Sequence, residues 1–124
     1  MALRELDQAP RRIERYGAGG FHIEGERHEG ALLLTASILA PLAMADATTA
    51  DAAAVAGIVE ARDDFEMILI GTGPRFAMLA KPAREALRAA GVRFDVMDTG
   101  AACRTYNVLA AEGRRVAAAL LPVP

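Results

Sequence analysis

A single layered α/β domain, with a mixed, mostly parallel sheet, an N-terminal antiparallel hairpin and flanking helices, is predicted by three features of the sequence. From residue 65 onward, short apolar runs alternate with segments of helical period, the order that produces parallel strands joined by helical crossovers. Before residue 31, apolar and polar residues alternate singly around glycine-rich reversals, as in antiparallel strands with one wet face. The chain has 124 residues, 53% hydrophobic and 24% charged, which suits one core and one domain spanning residues 1–124.

Taken in order, residues 12–16 alternate about Ile13, and Phe21-His22-Ile23-Glu24 alternates again before Gly25, so both segments are expected to be half-buried strands. Ala31-Leu32-Leu33-Leu34 follows the glycines at 25 and 30 and is expected to complete a hairpin or meander with them. Residues 37–44 hold Pro41 and no clear period, and are expected to form a loop with Ile38, Leu39 and Leu42 against the core. Thr48 and Asp51 have capping-box spacing ahead of Ala52, Val55, Ala56, Ile58 and Val59, predicting a helix over about 48–61. Residues 65–70 and 116–121 are nearly continuous apolar runs, as expected of strands covered on both faces. Pro82 suits a first helical turn, Ala83, Ala86, Leu87 and Ala90 share a face, and Gly91 supplies the stop. Residues 92–97 make a third strand, and a last helix runs from Thr99 to about Gly113.

Alanine forms about a fifth of the chain, so the core is built from small aliphatic groups. The one cysteine, Cys103, cannot close an internal disulfide and fits a reducing compartment. A formal charge of −2 argues against a general nucleic-acid binder. No apolar run reaches the ~20 residues of a membrane span, because Pro41, Asp46, Asp51 and Gly57 interrupt the longest. Glu5, Asp7 and Glu14 interrupt the N-terminal arginines, and no apolar targeting segment follows. A cytoplasmic location without membrane insertion is therefore expected.

Four constellations bear on chemistry. Gly71-Thr72-Gly73-Pro74-Arg75 leaves the carboxyl end of a buried strand, where open α/β sheets place ligands. It lacks the third glycine of a dinucleotide fingerprint and the Gly-Lys-Ser/Thr of a phosphate loop, so the competing account is a plain turn with a surface arginine. Asp98-Thr99-Gly100-Ala101 spells an aspartic-protease signature, yet a helical period follows it, which favours Asp98 as a helix cap. His22, Glu24, Glu26 and His28 recur at every second residue and would share one face of an uninterrupted strand, where a divalent metal could bind. Gly25 breaks that run, and a polar outer strand face is the ordinary account. Cys103 has no histidine nearby in sequence to serve as its base, and a buried, inert thiol is expected. Arg104, with Arg75 and the helix start at Thr99, can instead converge on one anion, unless Arg104 pairs internally with Asp98 or another acid.

The stretches 16–25, 67–73 and 97–109, the last continuing Glu112-Gly113-Arg114-Arg115-Val116, resemble a family of small α/β proteins over about residues 13 to 121. Its eukaryotic members include a mitochondrial assembly factor for respiratory complex I and an adipogenesis-associated protein. The resemblance implies one layered α/β domain with a mixed sheet and assigns no catalytic residue. It favours a non-enzymatic protein-binding domain, of the kind that assists assembly of a respiratory or other membrane complex, with a protein as the expected partner. The alternative is a small-molecule or anion-binding protein or an enzyme, using Gly71, Thr72, Gly73, Arg75, Asp98, Thr99 and Arg104. No cofactor, metal ligand or nucleic-acid partner is assigned.

Overall fold

The computed structural model describes residues 4–5 and 11–124. The N-terminal segment, expected not to be a targeting signal, lies largely outside the described residues. The elements are β1 (Arg4–Glu5), β2 (Ile13–Gly17), β3 (Gly20–Ile23), β4 (Glu26–Glu29), β5 (Leu32–Leu34), β6 (Ile38–Pro41), α1 (Ala56–Glu60), β7 (Met67–Gly71), α2 (Lys81–Ala89), β8 (Phe94–Met97), α3 (Thr99–Ala111) and β9 (Val116–Leu120). Six strands form the main sheet in the order β1-β6-β5-β9-β7-β8, and β2-β3-β4 form a second, antiparallel sheet. The main sheet is mixed: β7 pairs in parallel with β8 and β9, whereas β5 pairs antiparallel with β9 and β6. No helix among the described residues is long and apolar enough to cross a membrane.

The strict alternation of a pleated strand divides the core into two layers. Leu33, Ile68, Ile70, Ala117 and Ala119 face one side of the main sheet, where Val55 and Ile58 near α1 and Ala83 and Leu87 of α2 cover them. Leu32, Leu34, Leu69, Ala118 and Leu120 face the other, under Ala102, Cys103 and Tyr106 of α3 and Ile13, Phe21 and Ile23 of the small sheet. The three alanines of β9 are fully buried, and their small side chains allow both layers to approach the central strand closely.

Three expectations are corrected. Residues 38–41 are not loop but strand β6: Thr35 and Ile38 close a tight turn, with Thr35 N–H donating to the Ile38 carbonyl at 2.8 Å, and Pro41 ends the strand, where its missing N–H costs the ladder little. Leu32–Leu34 leaves the N-terminal meander and joins the main sheet between β6 and β9, because all three of its residues are buried and need cover on both faces. The helix over 48–61 is broken. Asp46, rather than Thr48, accepts from Thr48 N–H at 2.8 Å to start a 3-10 turn at Ala47–Thr49, and extended Ala50 ends it. Asp51 then accepts from Ala54 N–H at 3.0 Å, and α1 covers only Ala56–Glu60. Two aspartates, each bonding to nearby backbone, divide the segment into separate turns.

Candidate functional site

The end of β7 and the start of α3 meet edge to edge. A Cβ on Gly71 would lie 2.9 Å from the Thr99 Cα, so the absence of a side chain lets the strand end touch the helix start. Thr99 is fully buried. Its hydroxyl donates to the Leu121 carbonyl at 2.7 Å and accepts from Gly73 N–H at 2.8 Å, while Thr99 N–H donates to the Gly73 carbonyl at 2.9 Å. The Thr72 hydroxyl donates to the Arg75 carbonyl at 2.7 Å and accepts from Ala77 N–H at 3.1 Å. Asp98 caps α3 by accepting from Ala101 N–H at 2.9 Å. The corner formed by Gly71, Thr72, Gly73, Asp98 and Thr99 is thus cross-linked within the fold. Arg75 is exposed on its loop.

Arg104 belongs to a different place. It is exposed on α3 and lines a groove of about 240 Å³ against β2, together with Arg12, Arg15, Tyr16, Gly100 and Asn107. Asn107 fixes the two elements together: its side-chain carbonyl accepts from Ile13 N–H at 2.9 Å, and its amide donates to the Ile13 carbonyl at 3.0 Å. Over Gly100 the groove narrows. A Cβ there would meet the Tyr16 hydroxyl at 2.5 Å and an Arg104 guanidinium nitrogen at 3.3 Å, so both polar tips reach over the same glycine. A second depression of about 170 Å³, lined by Arg12, Asn107 and Ala111 among others, continues the groove along α3.

The remaining candidates separate. Glu24 and Gly25, both at positive φ, turn the chain and place His22 opposite Arg27 and Phe21 opposite His28. His22 and His28 therefore lie on opposite faces of the small sheet, His28 buried beside Phe21 and His22 near Arg15 at 3.4 Å. Cys103 is buried, and burial pushes its thiol up to about 12, with Arg104 opposing in part. A thiol held there carries almost no thiolate at neutral pH. The sequence marks Arg104 as a candidate but not Arg12 and Tyr16, which line the same groove. Arg12 stands in the sequence only as N-terminal charge, and Tyr16 only as the end of an alternating strand and the start of a family motif. The signal that could have found them was their place on a strand whose Ile13 is buried under α3, since the neighbours of a covered strand residue border the helix that covers it.

A family model described as a protein of unknown function, DUF498/DUF598, matches residues 13–121 of this chain. An uncharacterised protein of Rhodobacter capsulatus is 43% identical over 112 residues, which cover 90% of this chain and 85% of that protein. Human NADH dehydrogenase (ubiquinone) 1 alpha subcomplex assembly factor 3 is 36% identical over 114 residues, 90% of this chain but only 61% of the human protein's length. Among solved structures, an outer membrane protein from Bartonella henselae superposes with a TM-score of 0.83 at 34% identity, covering 96% of this chain and all of that one.

Proposed function

The chain belongs to the DUF498/DUF598 family, and from that membership we propose that it is a non-enzymatic protein-binding domain that assists assembly of a respiratory or other membrane complex. The observation that carries this reading is the 36% identity to the human assembly factor across 90% of the chain. The chemistry of the α3 start supports it. The Asp98 carboxylate caps a helix, the Thr99 hydroxyl joins two backbone segments, and the Cys103 thiol is buried and protonated. The Asp98 carboxylate and the Thr99 hydroxyl are thus occupied by the fold, and the Cys103 thiol is covered by it.

The test is a chromosomal deletion followed by native gel electrophoresis of membranes, paired with affinity capture of the tagged chain. The expected result is loss of a mature membrane complex, accumulation of a subassembly, and recovery of that subassembly's subunits with the tagged chain. Normal levels of every respiratory and other membrane complex in the deletion strain would overturn the reading.

A further inference from the structure

We infer that the groove between β2 and α3 is the docking site for an acidic, extended segment of the partner protein, an inference that rests on the protein-binding reading above. Arg12 and Arg104 line it, and among the described residues neither is tied to an acid; Arg15, at its rim, turns to the outer face of the small sheet, near His22 at 3.4 Å. The acid in the same lining, Glu14, accepts from Gly25 N–H at 3.0 Å. The chain as a whole carries a formal charge of −2, so two arginines along one seam with no acid tied to them form a local exception. Guanidinium forks match carboxylates bidentately. The Tyr16 hydroxyl and the Arg104 guanidinium, both reaching over Gly100, provide two donors for one carboxylate.

The shape favours an extended segment over an isolated small anion. The two depressions share Arg12 and Asn107 and follow α3 from Gly100 to Ala111. At about 1.5 Å of rise per residue this seam is roughly 16 Å long, the span of about five residues of extended chain. Exposed Val108, four residues beyond Arg104 on the same helix face, offers an apolar contact beside the cations.

The probe is fluorescein-labelled hexaglutamate, titrated with the full chain by fluorescence anisotropy at low and high salt. Hexaglutamine, inorganic phosphate and phosphatidylglycerol vesicles form separate arms. Hexaglutamate is expected to bind in a salt-sensitive way, roughly tenfold or more weaker for Arg12→Gln/Arg104→Gln and unchanged for Arg75→Gln. Thermal unfolding confirms that both variants are folded. Equal weakening by Arg75→Gln, equal binding of hexaglutamine, or binding of phosphate or vesicles without hexaglutamate overturns the inference. The double variant is also carried through the affinity capture. Undiminished recovery of the partner overturns the groove while leaving the assembly reading intact; capture of nothing by wild type, with hexaglutamate binding preserved, overturns the assembly reading and leaves the groove.

Discussion

Two polar regions lie at the start of α3, one on each side, and they use their hydrogen-bonding groups in opposite ways. At the Thr72–Thr99 corner, both hydroxyls and the Gly73 N–H have partners inside the fold. Along the β2–α3 seam, exposed Arg12 and Arg104 line a groove. The difference shows that polarity alone does not mark a binding surface. A buried donor with its bond made contributes to stability, and its removal leaves its partners unsatisfied; an exposed charge whose loss the fold hardly registers is free to meet another molecule.

The largest effect should come from the corner. Thr99→Val keeps the shape but orphans the Gly73 N–H and the Leu121 carbonyl, and is expected to cost about 2–4 kcal/mol in urea unfolding. Thr99→Ser should recover most of that. A wild-type midpoint for Thr99→Val would mean the corner's bonds are idle. Next in size is Asn107→Ala, which removes both bonds to Ile13; about 1–2 kcal/mol is expected, together with weaker peptide binding as β2 loosens from α3.

A third effect is gated by pH. Burial pushes Cys103 from its ordinary 9.0 to about 12 and Tyr106 from 10.0 to about 12. The folded chain therefore keeps these protons longer than the unfolded chain does. The stability involved is complete below about pH 9 and is lost as pH rises from 9 towards 12. Cys103→Ala should flatten this alkaline limb in a pH series of unfolding midpoints, and native Cys103 should react with a thiol reagent far more slowly than in denaturant. Fast native labelling at neutral pH would contradict the burial.

The smallest effect should come from the seam. Arg12→Gln, Arg15→Gln and Arg104→Gln should each change stability by less than about 0.5 kcal/mol, as expected of exposed charges outside a buried network. A loss comparable to that of Thr99→Val would show that these arginines belong to the fold after all, and would erase the contrast between the two regions.

Much of the fold was legible because it rests on local periodicity. β7, α2, α3 and β9 fall within one or two residues of the apolar runs and capping residues that predict them. What was hidden depended on partners distant in sequence. Strand β6 forms because Thr35 turns the chain back, with Asp64 accepting from the Thr35 and Ser37 hydroxyls, a contact across nearly thirty positions that no period announces. The seam was hidden for the same reason. Asn107 meets Ile13 only once the small sheet has folded onto α3, so Arg104 was visible as a candidate while Arg12 and Tyr16, at the far end of the chain, were not joined to it.

The most direct test of the contrast is a residue-resolved map of where an acidic segment touches the protein. Amide chemical-shift changes should be followed in a ¹H–¹⁵N correlation spectrum of the full chain titrated with hexaglutamate. They are predicted to cluster on residues 12–16 and on α3 from Gly100 to Ala111, and to fade in Arg12→Gln/Arg104→Gln. Shifts centred on residues 71–75 and Thr99, or spread evenly over the surface, would contradict the account.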